Sequence, residues 1–362
     1  MVANLKYKFF VADYEDIVFD NVTTNVSLRI SVGQKLLLDE IYHPNSEKKV
    51  IISGIGDVLS QYFTFDSTQL FAQKNKDRSL IFEIRSTVDG VVNYNTQILY
   101  YSSVLLGVDL YDKFLTRYQT KKTNIKRQEI LSIYDFTADF IEVGVAYIKD
   151  GIPRYYRAEF SQTLYCCTIN VSLSVLPDWI DAETGYHIDA NDIIYYDVYA
   201  LTNESENQVV DKIQYINDKR EYPHEVRLVY NNCFGVPETI AFTGITKSAT
   251  ALNAQFAQIK HSYSKIFTDP VATHQLYTGP LDQSGIESIE DIIRSDQVWI
   301  YQDPTTLIPI TITDINMESN NRGNEPKGYS ISYRLSDNRQ RFKKVDKLYN
   351  RSFDKTFDQT FD

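Results

Sequence analysis

Cysteine is scarce in this chain of 362 residues: only Cys166, Cys167 and Cys233 are present. So small and odd a number excludes a disulfide framework as the source of stability. Adjacent Cys166 and Cys167 would point to opposite faces of a strand, which makes them poor partners for each other. Long apolar runs are missing too, and no stretch approaches the ~20 residues that a membrane helix needs. Met1 to Asp13 has no basic segment followed by a long apolar one. No signal peptide is therefore expected, and synthesis in the cytosol is. Positive charge is in deficit, 37 Lys and Arg against 48 Asp and Glu, a net of −11. That balance argues against nucleic acid as a partner, because phosphate binding needs a basic surface.

Enzyme signatures are missing as well. Gly54-Ile55-Gly56-Asp57 lacks the third glycine and the Lys-Ser/Thr of a phosphate loop, and reads as a turn before a short helix. There is no Gly-x-Ser-x-Gly elbow and no His-Glu-x-x-His. The five histidines (His43, His187, His224, His261 and His274) are scattered, and none sits at ligand spacing from another His or a Cys. The expectation is a chain that is not an enzyme and needs no cofactor.

What the chain does have is tyrosine and phenylalanine, 27 and 19 residues. Tyrosine suits half-buried strand positions, because its ring can be buried while its hydroxyl stays wet. Alternation with period two is the strongest pattern. Val26, Leu28, Ile30 and Val32 alternate with Ser27, Arg29 and Ser31. Leu80, Phe82 and Ile84 alternate with Ile81, Glu83 and Arg85. The longest case runs from Tyr165 to Val175. Ile308, Ile310 and Ile312 repeat the pattern, as do Tyr329, Ile331, Tyr333 and Leu335. One wet face and one dry face belong to antiparallel sheets. The expected fold is mainly β: tandem antiparallel β-sandwich-like domains with a few short connecting helices.

Three helical stretches are predicted. Leu110, Phe114 and Leu115 mark one over Asp109–Tyr118. Gly56 to Phe63 is a short second one. Ser284-Gly285-Ile286-Glu287 reads as a capping box opening a third. Its apolar face would be Ile286, Ile289, Ile292 and Ile293, and it would end near Ser295, before a strand with Val298, Trp299 and Ile300. The run Lys121 to Arg127 reads as a solvated basic connector. Asn231 to Pro237 is rich in turn formers and opens a third unit. The expected division is an N-terminal β domain at 1–108, a connector at 109–127, and a central β domain at 128–235. A C-terminal β domain with one short helix follows at 236–351, then a tail at 352–362.

Candidate interaction and ligand residues fall in three groups. In the tail, Phe353, Phe357 and Phe361 recur every fourth residue, so a strand or a helix would line them on one face. Such a row is expected to dock, on its own fold or in a groove of a neighbouring subunit. Trp179, Trp299 and Tyr196 could form an aromatic platform for a sugar, or simply fill a core or interface. Asp178, Asp181, Glu183, Asp189 and Asp192 form an acidic cluster, a solvated loop first and a calcium site second. Paired carboxylates could also serve glycoside hydrolysis.

Three segments carry a resemblance. One joins Thr24–Ile30 to Val50–Leu59, another is Tyr230–Phe242, and the third joins Thr313-Asp314 and Tyr329–Leu335 to the Phe-Asp terminus. In these the chain resembles structural virion proteins of tailed phages of Bacteroides-type bacteria, crAss-like phages included. The resemblance implies a place in a ring or collar of the neck, tail or baseplate. It also implies repeated copies, other virion structural proteins as partners, and no membrane. The alternatives are a module of the virion that binds a host-surface glycan or receptor, and a polysaccharide hydrolase.

Overall fold

The alternating segments become strands in the computed structural model. It describes residues 8–63, 79–103, 113–133, 138–161, 167–185, 187–202, 208–259, 262–295, 297–303, 306–318 and 328–336. Among these the chain is mainly β, with three α-helices.

The first group of elements comprises β1 (Lys8–Phe10), β2 (Ile17–Phe19), β3 (Val26–Val32), β4 (Lys35–Tyr42) and β5 (Val50–Ile52), then α1 (Ile55–Ser60), β6 (Ser79–Val88) and β7 (Val91–Tyr100). Five strands form a sheet in the order β1-β7-β6-β3-β4, and β2 pairs with β5. Leu28, Ile30, Phe82 and Leu99 of the sheet face Ile17, Phe19, Ile52, Ile55 and Leu59 across one core. The predicted alternation of β3 and β6 is what builds this face.

The second group comprises β8 (Thr120–Thr123), β9 (Ile130–Ile133), β10 (Ala138–Lys149), β11 (Ile152–Ser161) and β12 (Cys167–Asn170), then α2 (Leu176–Thr184), β13 (Ile193–Thr202) and β14 (Gln208–Asn217). The sheet order is β11-β10-β13-β14-β8, and β9 pairs with β12. Val143, Val145, Tyr196 and Tyr215 meet Leu131, Ile169, Leu173 and Ile180 in its core. The rings of Tyr196 and Tyr215 stack at 4.8 Å. Tyrosines are not confined to half-buried sites: Tyr100, Tyr196, Tyr215 and Tyr230 are all wholly buried.

The third group comprises β15 (Val226–Asn231), β16 (Pro237–Phe242), β17 (Thr246–Ile259), β18 (Ser262–Tyr277), α3 (Gln283–Arg294), β19 (Val298–Asp303), β20 (Thr306–Glu318) and β21 (Gly328–Leu335). All seven strands form one sheet, β16-β15-β19-β20-β21-β18-β17. Helix α3 lays Ile289 and Ile292 on it, beside Leu228, Phe242 and Ile331. Each isoleucine buried this way contributes roughly 2 kcal/mol.

Several expectations are corrected. Residues 113–118 are not helical: Phe114 bridges to Ile133, and Leu115 N–H donates to Ser132 O. Phe114 belongs to the second core and Leu115 to a separate cluster, so consecutive residues point opposite ways, as an extended chain requires. The long strand at Tyr165–Val175 shrinks to Cys167–Asn170 within the described residues. The Asn170 side chain accepts from Ser172 N–H and from its hydroxyl. That local bond competes with the ladder and turns the chain. Val171 and Leu173 stay buried beyond the turn, which mimicked strand alternation. The cap of α3 is Asp282, which accepts from Gly285 N–H at 2.8 Å, and Ser284 lies inside the helix. Ile293 is 56% exposed rather than on the buried face.

Strand pairing also crosses the expected boundaries. β8 precedes residue 128 yet belongs to the second sheet, and β15 precedes residue 236 yet pairs with β16 in the third. Two strand pairs, β1 with β7 and β14 with β8, are parallel.

Candidate functional site

The expected basic connector is solvated only in part: Lys122, Ile125 and Lys126 are exposed, while Lys121 and Arg127 form a buried junction. Lys121 and Arg127 are 8% and 6% exposed. Lys121 Nζ lies 2.6 Å from Glu129 Oε2 and donates to Thr239 O and Oγ1. Arg127 donates to Glu225 Oε2 at 2.6 Å and to Lys122 O. Lys121 sits on β8 of the second sheet and Thr239 on β16 of the third, so the pair ties the two sheets. The segment looked solvated because charge alone shows nothing of its partners, which lie over 100 residues away for Thr239 and 98 for Glu225.

Glu238 is the centre of a second buried group. Thr116 Oγ1 donates to one of its oxygens, and Asn232 Nδ2 and Tyr230 OH donate to the other. Burial pushes its carboxyl above the usual glutamate range, and Lys121 opposes the shift. Because the folded pKa is raised, this group favours folding below about pH 4.5, its ordinary value, and that contribution is lost as pH rises through the folded pKa. Glu238→Gln is therefore expected to gain stability relative to wild type as pH rises from 4 to 7. Melting curves across that range check it, and a midpoint difference, variant minus wild type, that stays constant or falls with pH would contradict it.

An open cleft of about 620 Å³ lies beside the junction. Its carboxylates are ion-paired: Asp218 with Arg220, Glu221 with Lys126, and Glu225 with Arg127. Hydrogen bonds from Arg220 and then Tyr222 hold the Asp218 carboxyl far below its usual range, against the effect of its burial. A general acid for glycoside cleavage needs the opposite shift. The Tyr222 ring has Arg127 and Arg220 over it at 5.9 and 5.5 Å.

The outer face of the second sheet carries a polar array. Buried Asp197 accepts from Tyr199 OH and Gln214 Nε2 at 3.0 Å and pairs with Lys212 at the same distance. Tyr155 OH sits 3.3 Å from Tyr199 OH above Gly144, where a Cβ would meet Tyr155 OH at 1.9 Å. Burial first, then Tyr155 and Asp197, push the Tyr199 hydroxyl far above its normal pKa. It stays protonated at neutral pH and serves as a donor, not a base.

The residues singled out in the sequence do not converge. Tyr196 is fully buried, with its hydroxyl donating to Val171 O at 2.6 Å. Trp179 is partly buried against the same core. Trp299 lies in a different cluster with Ile130, Val229 and Tyr301. The three share no surface, so the sugar platform is not formed. Asp178 and Asp181 are exposed on α2, and Asp189 caps the 3-10 turn 190–192 by accepting from Asn191 N–H. Asp192 is exposed in that turn, and the Glu183 side chain lies outside the described ones. The stretch is thus a helix and a turn rather than a loop. Among the described residues no three His, Cys, Asp or Glu side chains gather as metal ligands, and no helix is long and apolar enough to cross a membrane. Phe353, Phe357 and Phe361 lie outside the described residues.

The element that sequence reasoning missed is the β17–β18 ribbon. It pairs from Thr246–Leu276 to Ile259–Ser262, while β18 joins β21 only over His274–Tyr277. Residues 246–251 are exposed on both faces of the strand. Small and polar residues such as Ala249, Thr250 and Ala251 give almost no apolar alternation to read.

No protein-family model matches the chain, and no curated protein matches it. Among solved structures it is similar to a chain from the tail of an empty GTA particle with C6 symmetry, at 12% identity and a TM-score of 0.22, over 31% of this chain and 90% of that one. It is also similar to a four-domain ectodomain fragment of ICAM-5, at 9% identity and a TM-score of 0.16, over 75% of this chain and 74% of the other. Both scores are too low to bear on function.

Proposed function

We propose that the chain is a structural building block of a tailed-phage virion, of the neck, tail or baseplate kind. It acts by assembling with copies of itself and with other structural proteins. The observation that carries the assembly reading is the free ribbon. From Ala249 to Ile259, β17 has only β18 as a neighbour among the described strands. Those residues reach roughly 35 Å at the usual rise of a strand. A lone two-stranded hairpin is at best marginally stable in water, so one of this length is suited to a partner. The virion setting rests on the sequence resemblance. The polar clusters support the same reading, since their charges are spent on internal ion pairs.

Replacing residues 250–272 by an Asn-Gly turn, which closes on the hydrogen-bonded pair Ala249–Thr273, tests it. The full chain is expected to form discrete oligomers by light scattering. The shortened chain should unfold at nearly the same temperature yet remain monomeric. A full chain that stays monomeric at every concentration would overturn the assembly reading. Mass spectrometry of purified particles tests the virion setting.

A further inference from the structure

The open sheet edges differ in how they are guarded. Solitary edge strands usually carry charge, proline or a strong bulge. β4 has Lys35 and Asp39, β11 has Pro153 and Arg154, and β18 has Lys265 and Pro270. β17 is the last strand of the third sheet, and from Ser248 to Ile259 it has no charged residue, proline or glycine. Its one irregularity is a register shift between Gln255 and Phe256.

Two hydrogen bonds establish which backbone groups face outwards. Tyr277 N–H donates to Ile245 O at 3.0 Å, and Thr278 N–H donates to Tyr329 O at 2.9 Å. In this stretch odd-numbered β18 residues therefore turn their N–H towards β17, and even-numbered ones turn it away. Leu252 pairs with Pro270. The proline nitrogen thus faces outwards, where no ribbon bond is lost and where it removes a donor from the β18 edge. By the same alternation Thr246, Ser248, Thr250, Leu252 and Ala254 present N–H and C=O to the open β17 edge.

We propose that this β17 edge pairs antiparallel with the same edge of a second copy across a two-fold axis. The proposal rests on the assembly reading and names the contact. An isologous contact must be self-complementary: the five edge-facing residues are uncharged, and a two-fold centred on Thr250 sets Lys247 opposite Asn253 of the other copy, so no like charges meet. Five outward residues from each copy would exchange about ten backbone hydrogen bonds, the number found in an ordinary protein interface. The guarded β18 edge of the same ribbon offers no such match.

Thr250→Pro removes one outward donor and no bond of the ribbon itself. Ala272→Pro does the same on the β18 side. Sedentary controls of this kind separate edge pairing from ribbon folding. Thr250→Pro is expected to weaken self-association about thirtyfold, because the symmetry loses the donor twice, while Ala272→Pro leaves it unchanged. Equal losses in both variants, or a loss in Ala272→Pro alone, would overturn the assignment to β17. If both variants associate like wild type, the edge contact is wrong while assembly stands. A monomeric wild type removes both readings.

Discussion

Replacing Lys121 by alanine is expected to cost the fold about 3–5 kcal/mol, the usual loss when one member of a buried ion pair is removed. Glu129 is 2% exposed, and its carboxylate would keep Thr239 Oγ1 as a donor but lose the ammonium 2.6 Å away. Thr239 O would lose its donor as well. Water cannot easily replace them, because the partners lie between two sheets. The double change Lys121→Met with Glu129→Leu should recover much of the loss, since it removes both charges and refills the volume. Denaturant unfolding measures both variants. A loss below about 1 kcal/mol for the single change would mean that the pair behaves like a surface salt bridge. High salt provides a second check, because a buried pair is screened far less than an exposed one. By its position the pair, through Thr239, holds the sheet bearing the ribbon against the second sheet.

Gly235→Ala is the other large effect, expected at about 3 kcal/mol or more from backbone strain and overpacking together. Gly235 has φ of +67° in the turn between β15 and β16, where its N–H donates to Asn232 O. A Cβ there would meet the Tyr101 ring at 1.9 Å. That ring packs near Phe63, with centroids 5.7 Å apart, and against the first core. It cannot turn aside without opening the contact. The turn itself is buried: Cys233, Phe234 and Val236 join Phe10, Ile98, Tyr100 and Leu115. Gly33→Ala isolates the backbone share of the cost, because Gly33 has φ of +54° and nothing within 4 Å of a new Cβ. It should cost only about 1 kcal/mol. Similar midpoints in urea for the two variants would show that Tyr101 yields freely and that the turn does not lock the first and third sheets together.

The strands were legible where one face is dry. Val26, Leu28 and Ile30 alternate in the chain and are all wholly buried, and Ile331 between Tyr329 and Tyr333 behaves the same way. Helix α3 was legible from Ile289 and Ile292, since their spacing suits one face. Its cap was misread because Asp282 and Ser284 are both good capping residues, and only the bond to Gly285 N–H tells them apart. The candidate aromatic residues were visible as a composition, but Tyr196 and Trp299 are drawn into separate cores. The acidic residues were visible as a cluster in sequence, yet α2 and the turn after it leave Asp178, Asp181, Asp189 and Asp192 exposed to solvent.

The order of polar and apolar side chains thus determined that this is a mainly β protein with antiparallel sheets, because period-two alternation is a local property of the strand. Tertiary structure alone decided that Lys121 and Arg127 are buried, since Thr239 and Glu225, which bind them, come from segments far along the chain. It also decided that β17 and β18 leave their sheet as a ribbon. Edge or centre is a matter of which strands lie alongside, and that is a relation between distant segments that no local pattern encodes.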